Sequence, residues 1–301
     1  MSDTTAGLRR KIDSAGELQA VVRTMKALAA SSIGQYEKSV RALADYNRAV
    51  ELGLGACIRD SQPVPTGVQR RGRAQARALG AVVFGSDQGL VGPFNDVVAD
   101  LAIQTLAAMP GKPQVWAVGE RVRARLSDAG LALAGLFPVP NSAKAIAPTV
   151  GQILVQSATR YGQGEGAELH LFYNRPGPGA GYTPASQRLL PLDEAWQRDL
   201  AGRPWPAGAL PEVLGGGTAT LRAFIREYLF ISLYRACAES LASENASRLA
   251  AMERADKNID KLLETLRGAF RRLRQSGIDE ELFDVIAAYE SALPTASRAG
   301  Q

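Results

Sequence analysis

Two cysteines, one histidine and an aromatic share of 6% are what this chain of 301 residues has least of. Cys57 and Cys237 argue for a reducing compartment and against a disulfide framework. A single histidine, His170, leaves almost no material for a zinc site or a Ser-His-Asp triad. It alternates with Leu169 and Leu171, which predicts an exposed strand position. No run of about eighteen apolar residues occurs, and the opening Met1-Ser2-Asp3-Thr4-Thr5 lacks a signal-peptide profile, so a soluble cytoplasmic chain is expected. Charge of either sign is scarce as a surplus: the net is +5, and residues 1–78 supply the excess. So small and local a surplus suits an acidic protein or a membrane surface better than a nucleic-acid duplex. The arginines at 70, 71, 73 and 77 have no aromatic platform among them, which weakens a nucleic-acid reading further.

Proline is missing from two long stretches, and both carry helical periodicity. Residues 1–57 form the first. Leu8, Ile12, Ala15, Leu18, Val22, Met25, Ala29, Tyr36, Val40, Leu43, Asn47, Val50 and Leu54 make one stripe at three- and four-residue steps. At about 1.5 Å per residue such a helix spans about 75 Å, the dimensions of a coiled coil. Residues 218–293 form the second, with Gly215-Gly216-Gly217 and Thr218 at its entry as a plausible cap. Its stripe opens with Leu221, Ile225, Tyr228, Ser232, Ala236 and Glu239, and ends with Ile259, Leu262, Leu266, Phe270 and Leu273. Many members are Ala or Ser, so two backbones can approach closely.

Between them, 58–78 reads as a basic connector and 79–217 as an α/β domain, with 294–301 a disordered tail. Strands are predicted at Leu79–Phe84, Gln114–Val118, Leu131–Val139 and Glu168–Tyr173, with an edge strand at Ser186–Leu192. Helices are predicted at about 93–109, at Glu120–Ala129 and at Ala147–Tyr161. The fold class is therefore α/β: a long antiparallel N- and C-terminal helical coiled coil plus a Rossmann-like domain with a largely parallel sheet.

Both rods leave one domain, so side by side they run antiparallel, with facing residue numbers summing to about 275. Residue 6 then faces residue 269, and everything beyond Gly268 overhangs. Ile278, Leu282, Val285, Ile286, Tyr289 and Leu293 share a narrow arc there, while Phe270, Leu273 and Phe283 occupy other faces. Burying such side chains is worth roughly 1.5–3 kcal/mol each, and a lone helix cannot bury them itself. Apolar residues off the main stripe point to a surrounding sleeve. The same register holds Cys57 and Cys237 apart.

The turn Gly85–Gly92 follows a strand and precedes a helix, the setting in which phosphates are cradled. Its glycine spacing matches neither G-x-G-x-x-G nor a P-loop, so a structural turn is the stronger reading. Asp87 has no carboxylate neighbour to pair with and reads as a turn or N-cap-like residue.

The motifs taken together resemble those of one family. Leu8-Arg9-Arg10-Lys11-Ile12-Asp13-Ser14 with Thr24-Met25-Lys26 is similar to the opening helix of F-type ATP synthase gamma subunits. Ser86-Asp87-Gln88-Gly89-Leu90-Val91-Gly92-Pro93-Phe94-Asn95 resembles their glycine loop. Leu233-Tyr234-Arg235, Glu239-Ser240-Leu241-Ala242-Ser243-Glu244, Arg248, Ala251-Met252 and Arg274-Gln275 stand at their C-terminal spacings. The resemblance implies a rotor without catalytic residues, cofactor or metal. It implies one copy inside three alpha and three beta subunits, the epsilon subunit and a membrane c-ring as further partners, and no nucleic acid. The implied place is peripheral, on the cytoplasmic face of a bacterial inner membrane. The implied partner contacts are Met25 and Arg248 low on the shaft and Arg274, Gln275 and Asp279 higher up. Ile278, Leu282, Val285, Ile286 and Tyr289 would form a bearing, and Gly85, Asp87, Gly89 and Gly92 the foot loop. Asp279 stands where the family usually has Thr, and Gly16, Glu17 and Val91 depart from its pattern too. These departures suggest a divergent branch, such as an alternate ATPase coupled to sodium. The competing expectations are an α/β nucleotide-binding enzyme with a helical arm and a coiled-coil adaptor.

Overall fold

A computed structural model describes residues 4–60, 79–161, 168–178, 181–207, 211–212 and 217–292. The elements in chain order are α1 (Thr5–Asp60), β1 (Leu79–Phe84), α2 (Phe94–Ala107), β2 (Gln114–Val118), α3 (Glu120–Asp128), β3 (Leu133–Phe137), α4 (Ala143–Tyr161), β4 (Glu168–Pro176), β5 (Tyr182–Leu190), α5 (Glu194–Gly202) and α6 (Gly217–Ala292). They form two compact units. One holds Ala27–Ala251; the other holds Met1–Lys26 with Met252–Gln301. Helix α1 continues three residues past the expected end at 57, into the predicted connector. The rest of that connector, with its four arginines, and the tail 294–301 lie outside the described residues.

In the larger unit the sheet order is β3-β2-β1-β4-β5. Strands β1 to β4 are parallel, and β5 pairs antiparallel to β4 at the edge. β1 reads Leu-Gly-Ala-Val-Val-Phe and is buried at all six positions, the signature of a strand covered on both faces. Leu79, Ala81 and Val83 point to α2 and α3, against Val98, Ala102, Val122 and Leu126. Val82 and Phe84 point the other way, into a core shared with Trp116, Tyr173, Ile146 and Ile153. Leu233, Cys237 and Leu241 of α6 and Tyr36 of α1 complete that second core. The sheet thus supplies the bed on which the middle of α6 lies.

Local chemistry explains where element ends moved. β5 begins at Tyr182, four residues ahead of the expected Ser186, because Pro184 is tolerated on an edge strand. α4 begins at Ala143 and keeps Pro148 in its second turn, where one carbonyl loses its partner. α5 was not anticipated; Asp193 caps it, its carboxylate accepting from the Trp196 N–H at 2.9 Å. His170 is also a correction. It is buried at 6% exposure, on the face of β4 that carries Phe172, and not at an exposed position. Alternation on β4 separates two covered faces, so it does not separate inside from outside.

Antiparallel pairing of α1 with α6 is visible inside each unit. In the larger one the Tyr46 hydroxyl donates to Glu227 Oε2 at 2.8 Å, and Gly53 meets the ring of Phe224 so closely that a Cβ would stand 2.4 Å from it. In the smaller one Gln19 Nε2 donates to Asp256 Oδ1 at 3.1 Å and to Asp260 Oδ1 at 2.5 Å. Each hydrogen-bonded pair lies within a few residues of the expected register.

Up to Leu54 the fully buried residues of α1 follow a heptad seam. Leu8, Ala15, Val22, Ala29, Tyr36 and Val50 lie on one row at multiples of seven residues, and Gln19 and Leu54 lie on the other. This corrects the stripe read from sequence. Leu18 is 55% exposed and polar Gln19 takes the seam; on α6, Leu262 is 49% exposed while Leu263 is buried. In a heptad that has Ala15 at one seam position the next seam position falls four residues on, at Gln19, and Leu18 stands on the flank.

Candidate functional site

The parallel order places a topological switch point between β1 and β4, since the chain leaves β1 toward β2 and returns from β3 to β4 on the opposite side. In doubly wound enzymes ligands bind beyond the carboxyl ends of the strands at that point. Here the loop Gly85–Pro93 lies at the end of β1, and several of its polar groups are bonded within the chain. Gly85 N donates to Val118 O at 2.8 Å, and Ser86 N donates to Asn95 Oδ1 at 2.9 Å. Asn95 Nδ2 donates to Ser86 Oγ at 2.8 Å. A Cβ at Gly85 would fall 2.3 Å from Val122 Cβ, which fixes glycine there. Asp87 spans two neighbours, its Oδ1 accepting from Glu120 N and its Oδ2 from Val139 N, both at 2.9 Å. It therefore places a carboxylate at the start of α3, the helix end that an anion would need.

Helix α6 closes the crevice itself. Ser243 Oγ donates to Asn174 O at the end of β4 (3.0 Å), and Ser247 Oγ donates to Val91 O in the loop (2.6 Å). Asn174 Nδ2 in turn donates to Phe94 O at 2.8 Å. The polar residues of α6, buried among these contacts, act as pegs. The place where an enzyme of this topology would hold a nucleotide is filled by the chain's own helix. This arrangement opposes the nucleotide-binding alternative.

One turn along, Arg248 Nη2 donates to Glu244 Oε1 at 2.6 Å, with the two side chains 13% and 6% exposed. Burial pushes the Glu244 carboxyl above its ordinary range, Asp87 adds to the rise, and Arg248 opposes it. Glu244 Oε2 and Arg248 Nε have no hydrogen-bond partner among the described residues. The loop presents Leu90 beside this region, 62% exposed and at φ 62, a conformation that costs a non-glycine residue about 1–3 kcal/mol. Leu90, Ser243 and Ser247 carry the geometry of the site, and the sequence alone assigned a role to none of them.

The smaller unit holds the remaining candidates. Met25 is half-buried on α1. Around it Arg23 Nε stands 3.1 Å from Asp256 Oδ1 and Lys26 Nζ 3.9 Å from Asp256 Oδ2. Burial alone would raise the Asp256 carboxyl, but hydrogen bonds from Arg23 and Gln19 and the nearby cations bring it below its ordinary value. Further along α6, Arg274, Gln275 and Asp279 are exposed, and none has an ion pair or side-chain hydrogen bond with another described residue. From Ile278 to Ser291 every residue is exposed. Ile278, Leu282, Phe283, Val285, Ile286 and Tyr289 are 44–69% exposed. The candidates are thus divided: Gly85, Asp87, Gly89, Gly92 and Arg248 lie in the larger unit, the others in the smaller.

Among the described residues no group of three His, Cys, Asp or Glu is placed to hold a metal, and no helix is long and apolar enough to cross a membrane. Cys57 and Cys237 are both buried and unbonded. Burial raises both thiols, Cys237 far above the ordinary range, which makes each a poor nucleophile.

Comparison with known proteins agrees with this picture. The profile of a family described as ATP synthase matches residues 4–292. The ATP synthase gamma chain of Granulibacter bethesdensis is 29% identical over 296 residues, covering 94% of this chain and 98% of that one. A chain in the mitochondrial ATP synthase of Euglena gracilis, solved with OSCP, F1 and c-ring, is 17% identical and superposes with a TM-score of 0.64 over 99% of this chain and 97% of that one. A chain from the central stalk and c-ring of the Tetrahymena thermophila mitochondrial enzyme is 23% identical, with a TM-score of 0.53 over 78% of this chain and 99% of its own. The two structures share the fold. With that profile matched from residue 4 to residue 292 and gamma chains among its relatives, the chain belongs to the gamma-chain family of F-type ATP synthases.

Proposed function

We propose that this chain is the shaft of a rotary F-type ATP synthase, seated on a membrane c-ring beside an epsilon subunit and turning within three alpha and three beta subunits. The reading rests on one observation above all. Fourteen consecutive residues of α6, Ile278 to Ser291, are exposed although they include six large apolar side chains. That much apolar surface on a lone helix calls for a sleeve. Contact through dispersion and water exclusion is non-directional, so the apolar contacts themselves offer little resistance to sliding. In this reading Ile278, Leu282, Val285, Ile286 and Tyr289 are the bearing.

Torque needs directional contacts as well. Arg274, Gln275 and Asp279, exposed and without internal partners, are the upper catch; Met25 and Arg248 are the lower contacts. Gly85, Asp87, Gly89 and Gly92 form the foot loop. The chain performs no chemistry of its own. It shifts each surrounding site between conformations only as far as its contacts differ between them, and an asymmetric rod differs at three places at once. The departures at Gly16, Glu17, Val91 and Asp279 support a divergent branch, and the site of work is the cytoplasmic face of a bacterial inner membrane.

Reconstitution tests the shaft. Mixed with its own alpha and beta subunits, the chain is expected to raise ATP hydrolysis well above that of the subunits alone. A bead attached to the foot should rotate in three steps per turn. An unchanged hydrolysis rate with no rotation refutes the reading and favours an adaptor.

A further inference from the structure

Helix α6 sorts its charges by height. Arg267, Arg271, Arg272 and Arg274 come first, with no acid between them; Asp279, Glu280, Glu281, Asp284 and Glu290 follow, with no base between them. At about 100° per residue the tip's apolar side chains cover an arc of about 100°, Phe283 excepted, and the five carboxylates are spread over the rest of the circumference.

A merely solvated helix face would mix its signs. On an exposed face of α1 this chain does so: Glu37 pairs with Arg41, four residues apart. In the tip the spacing is repulsive instead. Glu280 and Asp284 stand four apart and Glu281 and Asp284 three apart, on neighbouring surface positions of one helix. Among the described residues the last turn of α6 holds no basic residue, although the negative end of the helix dipole favours one. None of the five carboxylates has an ion pair among the described residues. Both costs are borne in a segment whose apolar side already requires a partner.

We infer that the sleeve enclosing the tip carries basic side chains at the level of Asp279–Asp284, roughly 7–15 Å beyond the Arg274 catch. This inference rests on the shaft reading. An apolar arc and an acidic arc on one rod mean that a given sleeve position meets grease and charge alternately as the rod turns. The tip then carries an electrostatic preference for orientation as well as a bearing surface.

The test compares the full-length chain with the variant D279N/E280Q/E281Q/D284N, measuring affinity for the assembled alpha and beta ring between 50 and 300 mM salt. The expected result is a loss of about tenfold at the lowest salt and a flatter salt dependence for the variant. Far-UV circular dichroism of the variant should show helix content equal to or above that of the wild type, because repulsion is relieved. Affinity and salt dependence equal to the wild type overturn the inference while leaving the shaft reading intact, with solvated carboxylates the remaining account. A wild-type chain that fails to bind the ring overturns both.

Discussion

Glu244 shows how much of the site is decided by single residues. Its carboxyl is nearly buried, holds one hydrogen bond from Arg248, and has its pKa raised chiefly by desolvation. A carboxylate whose folded pKa exceeds its unfolded value favours folding fully only below the ordinary 4.5, and that contribution is lost as pH rises through the raised value. Glu244→Gln removes the titration and leaves Arg248 charged at every pH. Urea unfolding should therefore show the variant gaining stability relative to wild type from about pH 4.5 upward, with the two converging below it. Parallel pH profiles would show that Glu244 does not titrate as its burial implies. The Glu–Arg spacing was legible as a family motif, but its burial was not, because α6 is covered there by the sheet and the loop together. Asp87 was read as a cap or turn residue and caps α3, a helix thirty-three positions further along. Sequence proximity could not name that partner.

Among the elements, the two long helices were the most legible, since tens of residues without proline and with apolar residues every third or fourth position permit little else. The seam was read one residue off where it mattered. Polar Gln19 and exposed Leu18 exchange the roles that hydrophobicity alone assigns, because a heptad seam steps four residues from Ala15, to position 19, whichever side chain stands there. β1 and β2 lie within the bounds that the sequence predicts, while His170 is buried against expectation because both faces of β4 are covered. One weak point of α6 lies between the arginines and the carboxylates. A Cβ at Gly277 would meet nothing within 4 Å, and the helix is exposed on both sides of it. Gly277→Ala should stabilise the local helix by about 1 kcal/mol. Amide hydrogen exchange across residues 270–285 would show this as about fivefold greater protection, and unchanged exchange would mean that neighbouring packing already holds the turn.

At the scale of the molecule, stability and function are predicted to separate. Residues from Ile278 onward bury nothing among the described residues. Deleting 278–301 should leave the unfolding free energy of the isolated chain within about 1 kcal/mol of wild type. It should also abolish coupling between hydrolysis and rotation in the reconstituted complex. Full coupling by the truncated chain would end the bearing assignment. Composition and periodicity by themselves determined two unequal helical arms flanking an alternating α/β segment, and an apolar extension that its own chain cannot shelter. These are matters of local repetition, in which each residue votes the same way as its neighbours. Only the tertiary structure decided that α6 lies in the crevice between β1 and β4, with Ser243 and Ser247 pegged to the strand end and the loop. Those bonds join residues 69 and 156 positions apart in the chain, and a hydroxyl on a helix carries no mark of the carbonyl it will meet.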